Sequence, residues 1–290
     1  MSKNSGEYEY NAKVITFEDH IEIVKYGVPR VHKAPKLLKN PESNMPINVS
    51  DSDETQLVQQ AFRIKRKVKY YLEANPFNLF WTLTFDDSKV NAKNYVYARN
   101  RLRAWLKYQR EKFGRFDYLF IPELHPSTGR IHFHGVTGGL APPLTPARYP
   151  KSQRLIKKKG LQIYNADSWE KGFSTVSHIA DKRKAANYIT KYITKELMQI
   201  PHAYHQPRYF VSHGLKQPTV DYCDLDESYF TLFRPNFVVG HLSGSDSALE
   251  TDVAIYQIDI TREGELEQED GIKTVWKLKN TVDYGNEGGP

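Results

Sequence analysis

Residues 118–137 read YLFIPELHPSTGRIHFHGVT. Two apolar-rich segments, Tyr118–Leu124 and Ile131–Thr137, flank a Pro-, Ser- and Gly-containing hexapeptide, His125 to Arg130. That is hairpin chemistry: two strands joined by a short turn. On the second strand His132 and His134 stand at i and i+2, so both imidazoles leave one face of the sheet. A tight loop at Pro126–Gly129 sets Glu123 opposite His132. In that register a carboxylate and two imidazoles share one face, a three-ligand set for a metal ion with open positions left over. A slip of one residue turns Glu123 to the other face. In that case His125 or Asp86 is the source of the third ligand.

Reading outward from the hairpin, Phe80–Phe85 alternates Trp81, Leu83 and Phe85 with Phe80, Thr82 and Thr84, a strand pattern. Helical spacing of Leu57, Ala61, Ile64, Val68, Tyr71 and Leu72 predicts a helix over Gln56–Ala74, stopped by Asn75-Pro76. A second helix is expected over Lys93–Phe113, closed by Gly114. Phe173–Ile179 reads as a strand and Asp181–Met198 as a helix, after a Pro- and Lys-rich excursion over residues 141–167. The expected fold class is α+β, an antiparallel sheet of about five strands with helices packed on it. Further strands are expected at Lys13–Phe17 and Ile21–Tyr26, before a polar stretch at Asn40–Glu54. Strand-like pieces at Val253–Ile260 and Ile272–Leu278 have no evident partner. The division is an N-terminal extension (1–55), a central domain (56–220) and a C-terminal extension (221–290).

Charge is unevenly spread. The 290 residues carry a formal +7, but residues 241–290 hold 11 acidic and 4 basic side chains, and residues 1–240 hold 37 basic and 23 acidic. A body at +14 suits a nucleic acid partner, through release of counterions from phosphates. The acidic segment reads as a tail that aids solubility or competes with DNA. No apolar run approaches the roughly 20 residues needed to cross a bilayer, so no membrane is expected. Met1–Tyr10 lacks the pattern of a secretory signal. The single cysteine, Cys223, offers neither an internal disulfide nor a Cys-based zinc site, and a cytoplasmic setting fits.

The remaining concentration of chemistry is Tyr188-Ile189-Thr190-Lys191-Tyr192-Ile193-Thr194-Lys195. On a helix Tyr188 and Tyr192 fall one turn apart on one face. Aromatic pairs at that spacing usually fill a core, yet core packing does not call for a lysine three residues after each tyrosine. A phenol with a pKa near 10 is a poor nucleophile at neutral pH. Lys191 and Lys195 would favour its ionised form and offset the charge that builds up in attack.

The strand Phe80–Phe85, the His132-Phe133-His134 triplet and the doubled Tyr-x-x-Lys, in that order, resemble the HUH endonuclease superfamily. Within it they are similar to the rolling-circle replication initiators (Rep proteins) of plasmids and single-stranded DNA phages. The doubled tyrosine is similar to the gene A proteins of small icosahedral phages. Trp169 to Gly172 and Gly214 to Pro218 also resemble bacterial Rep proteins. The resemblance covers roughly residues 60–220 and implies a divalent metal ion (Mn2+ or Mg2+) on Glu123, His132 and His134. It further implies tyrosine attack on one strand of origin DNA, a 5′-phosphotyrosine link and a 3′-hydroxyl for synthesis. No G-x-x-x-x-G-K-[ST] is present, so unwinding is expected from a host helicase and synthesis from a host DNA polymerase. The same motifs also suit a two-tyrosine transposase, and the sheet alone would suit a non-catalytic RRM-like nucleic-acid-binding module.

Overall fold

In the computed structural model, residues 7–32, 51–86, 88–89, 91–125, 127–158, 160–193, 207–243, 248–268 and 275–278 are described. The chain divides into two units, one of residues 46–217 and one in which residues 1–45 and 218–290 come together.

The unit of residues 46–217 carries the motifs. Its main elements are α1 (Asp51–Ala74), β3 (Leu79–Phe85), α2 (Tyr95–Phe113), β4 (Asp117–Leu124), β5 (Ile131–Gly138), β6 (Gly172–His178), α3 (Lys182–Ile189) and β7 (Phe210–Val211); β1 and β2 belong to the other unit. The sheet runs β7-β4-β5-β3-β6 and continues through the short strands Tyr164–Asn165 and Thr145–Pro146, every pairing antiparallel. This is the α+β architecture expected. The excursion thus folds back to extend the sheet beyond β6.

Alternation explains the layering. Leu79, Trp81, Leu83 and Phe85 of β3 are buried while Phe80, Thr82 and Thr84 between them are half-buried. α2 starts where the Asn94 side chain accepts a hydrogen bond from the Tyr97 amide and buries Tyr95, Ala98, Leu102, Trp105 and Leu106. Its Trp105 ring packs edge-on to Trp81 at 5.2 Å, Phe120 at 6.1 Å and Trp169 at 5.9 Å. Gly135 permits this: a Cβ there would lie 2.2 Å from the Phe120 ring. The opposite face carries the polar side chains, with α3 and the turn after it laid upon them and α1 against α3.

The helix expected over Asp181–Met198 ends early. α3 starts on its Asp181 cap and stops at Ile189, and a 3-10 turn follows over Thr190–Tyr192. The Thr190 hydroxyl bonds back to the carbonyls of Ala186 (3.0 Å) and Asn187 (3.2 Å), a side-chain competition that disfavours a continuing helix. β-branched Ile189, Thr190 and Ile193 weaken it further. Residues 194–206 lie outside the described residues.

In the other unit, β1 (Tyr8–Thr16) and β2 (His20–His32) join β8 (Thr219–Cys223), β9 (Phe237–Ser243), β10 (Ala248–Ile260) and β11 (Val275–Leu278) in the order β8-β1-β2-β10-β9-β11, with α4 (Glu227–Thr231) and the short strand Leu266–Glu267. Ala12, Phe230, Val238, Ala254, Tyr256 and Ile258 form its core. The two terminal extensions therefore build one sheet, and β10 is an interior strand of it. The acidic segment is not a detachable tail, because much of it is strand. Charge follows the same division: residues 46–217 hold 29 basic and 13 acidic side chains, a balance of +16, and the other unit holds 12 and 21, a balance of −9.

Candidate active site

The β4–β5 hairpin adopts the register that the three-ligand set requires. Glu123 lies opposite His132, and Ile121 opposite His134. On the other side of β5, Thr82 faces His134 and Leu83 faces Phe133, which brings Thr84 beside His132. The contacts follow from that frame. His134 Nε2 and Glu123 Oε2 are 2.7 Å apart. Thr82 Oγ1 lies 3.2 Å from His134 Nδ1, and Thr84 Oγ1 lies 3.4 Å from His132 Nδ1. Each imidazole is thus flanked on its Nδ1 side by a threonine hydroxyl, which orients the ring and turns Nε2 toward the carboxylate side. The Glu123 carboxyl is held below the usual carboxylate range by its hydrogen bond with His134, helped by the nearby histidines and opposed by burial. Burial pushes the His132 imidazole down, with His134, His125 and Arg130 adding to it against Glu123.

Those ionisation states, a carboxylate and a neutral imidazole, are the forms that ligate metal. Among the described residues no three His, Cys, Asp or Glu side chains already stand in a metal-binding arrangement. His134 is instead hydrogen-bonded to Glu123. The donor chemistry nonetheless fits a divalent ion: mixed imidazole and carboxylate donors on one face, with hydroxyls behind two of them. Of the alternative third ligands, His125 stacks on His132 with ring centres 5.8 Å apart and its Nδ1 3.2 Å from Ser127 Oγ. Asp86 accepts from the amide and hydroxyl of Ser88 in a turn after β3 (3.0 and 2.8 Å), which lowers its pKa.

Both tyrosines reach this face, in different states. Tyr192 lies flat on His134, ring centres 3.7 Å apart and planes 4° from parallel. Tyr188 meets Tyr192 edge-on at 5.5 Å and rests on Phe80 at 5.5 Å. Tyr188 is 38% exposed. Two ammonium groups flank its ring, Lys158 at 5.5 Å and Lys191 at 5.9 Å from the ring centre. Burial pushes the Tyr192 phenol above its ordinary range, reinforced by a hydrogen bond with Tyr188 and by the charges of Tyr188 and Glu123. Tyr192 therefore keeps its proton, while Tyr188 stands open beside two cations. Lys195 lies outside the described residues.

Four groups here escaped the sequence reading as site residues. Thr82 and Thr84 looked like ordinary strand residues, although their alternation with Trp81, Leu83 and Phe85 signalled a polar face. Lys158 was one cation among several in the excursion, and only the folding of that excursion brings it to Tyr188. Phe80 supports Tyr188 from beneath.

Residues 78–197 match a family of replication-associated proteins, the ORF2 family. That segment contains Glu123, both histidines, both tyrosines and both flanking lysines. The match supports a replication initiator of the Rep kind, whose natural partner is origin DNA. No curated protein and no solved structure matches the chain. Among the described residues no helix is long and apolar enough to cross a membrane.

Proposed function

We propose that this protein starts replication by nicking one strand of its origin through Tyr188, at a divalent metal ion held by Glu123, His132 and His134. One observation carries the reading. A carboxylate, two imidazoles and two tyrosines from three separate stretches of chain meet on one sheet face, in a unit with a balance of +16.

When bound, the metal supplies Lewis-acid polarisation of the scissile phosphate. The chain's own groups do the rest. Thr82 and Thr84 hold the imidazoles in orientation. The Tyr188 oxygen loses its proton and attacks phosphorus; the bond to the 3′ oxygen breaks, and that oxygen takes up a proton. The products are a 5′-phosphotyrosine on Tyr188 and a free 3′-hydroxyl for a host polymerase. Lys158 and Lys191 offset the charge that develops on the attacking oxygen and the phosphate. Tyr192 donates a hydrogen bond to the Tyr188 phenolate during the first cleavage. Because one bond is exchanged for another of the same kind, the 3′-hydroxyl of a completed strand can attack the phosphotyrosine and reseal the DNA. Tyr192, one ring away, then cuts the regenerated origin while Tyr188 is occupied. Strand separation falls to a host helicase.

The test is incubation with supercoiled DNA of its own replicon and Mn2+. The reading expects nicked circles carrying covalently attached protein, abolished by a chelator. DNA binding without any covalent adduct would instead mark a non-catalytic binding module, and cutting confined to transposon ends a transposase.

A further inference from the structure

Four side chains stand in one row across the sheet. Glu123 on β4 faces His132 on β5, His132 lies beside Thr84 on β3, and Thr84 faces Phe173 on β6. All four project from the same face. The first three belong to the candidate active site. The fourth is a phenylalanine, 71% exposed, on a strand that otherwise buries Ser174 and Val176 and turns Thr175 outward. Its ring makes no aromatic contact among the described residues. A single exposed apolar side chain is commonplace. An exposed aromatic ring in register with a paired histidine, on the polar face of a sheet, is not explained by packing.

The surroundings are cationic. Lys171 lies two residues before Phe173, and the Lys89 ammonium is bonded to the Glu170 carbonyl at 3.3 Å. Adjacent strands are spaced by roughly 4.8 Å, which puts Phe173 about 10 Å across the sheet from His132. A stacked single strand advances roughly 3.4 Å per nucleotide, so about three nucleotides span that distance. Aromatic rings on open sheet faces bind unpaired bases by stacking, with cations nearby for the phosphates.

We infer that Phe173 is a stacking platform for one unpaired base of the bound strand, within about three nucleotides of the phosphate at His132. This rests on the proposed function for its ligand, single-stranded DNA, and adds the place where that strand is gripped. Phe173 also sets the direction of the strand, which runs across β5, β3 and β6 rather than along any one of them.

The experiment is fluorescence anisotropy of the full chain with a labelled oligo(dT) of about 12 nucleotides, within the span one such surface covers. Phe173→Ala is expected to weaken binding roughly tenfold or more, the usual loss for one base–aromatic stack. Phe173→Trp should bind like wild type, and Phe173→Leu like the alanine variant, since an aliphatic side chain has no π face. The slope of affinity against salt should stay unchanged, because no phosphate contact is removed. An alanine variant within twofold of wild type overturns the inference, as does a leucine variant that binds normally. A variant with unaltered DNA affinity but an altered oligomeric state assigns the ring to a protein contact and equally overturns it. If wild type itself fails to bind the oligonucleotide, the nucleic-acid reading of the whole site fails as well, which separates the two failures.

Discussion

Tyr192→Phe separates the roles of the two tyrosines. The substitution keeps the ring that stacks on His134 at 3.7 Å and removes only the hydroxyl. Its phenol is held protonated by burial and by its hydrogen bond with Tyr188, so in the first cleavage it serves as a donor and not as the nucleophile. A hydrogen bond to a charged acceptor contributes about 1.5–3 kcal/mol. Losing one from the Tyr188 phenolate should slow the first cleavage by roughly 10- to 150-fold, at 1.36 kcal/mol per tenfold. Tyr188→Phe removes the attacking oxygen and should leave no first-round adduct. The assay is single-turnover cleavage in Mn2+ with enzyme in excess, followed on denaturing gels, with thermal denaturation showing both variants folded. A Tyr192→Phe protein that cleaves at the wild-type rate refutes the donor role. Abolished cleavage in Tyr192→Phe, with adduct retained in Tyr188→Phe, reverses the assignment.

Three further outcomes follow from the geometry. His132→Ala or His134→Ala should abolish nicking yet leave DNA affinity nearly intact, because binding draws on the +16 balance of the unit; nicking at wild-type rate by either would remove that residue from the site. Thr84→Val should weaken Mn2+ binding, read by calorimetry, by about tenfold or more, since its hydroxyl lies 3.4 Å from His132 Nδ1 and orients the ring; unchanged affinity would leave Thr84 a sheet residue only. Gly135→Ala should destabilise the unit by about 1–3 kcal/mol, lowering the melting temperature by several degrees, because the new Cβ falls 2.2 Å from the Phe120 ring. A Gly135→Ala protein as stable as wild type would contradict the close approach of β5 and β4 side chains at that point.

What could be read from the sequence was whatever a short window contains. The turn His125–Arg130 and the alternation on either side of it lie within twenty residues, so the register placing Glu123 opposite His132 was legible before any coordinates. The strand partners of the termini were not. Ala12 pairs with Cys223, and Tyr26 with Val253, across some two hundred residues, and periodicity names a strand without naming its neighbour. For the same reason residues 241–290 looked like an acidic tail. Removing them would delete β10 from the middle of a sheet, so their effect on DNA binding cannot be tested by simple truncation. The helix end at Ile189 was missed because helical spacing continues through Tyr192, while the back-bonding of Thr190 that ends it is a side-chain choice. The contrast between the tyrosines depends on that turn, and on an excursion whose Lys158 reaches Tyr188 only in three dimensions.

The central claim is tested most directly by mapping the covalent adduct. Wild-type protein is incubated with supercoiled DNA of its own replicon and Mn2+, the DNA is trimmed with nuclease, and the nucleotide-bearing peptide is sequenced by mass spectrometry. The account predicts a 5′-phosphate on Tyr188 after a single turnover, with Tyr192 labelled only once rounds repeat. Nicked DNA with no adduct on either tyrosine, or a first adduct confined to Tyr192, would contradict it.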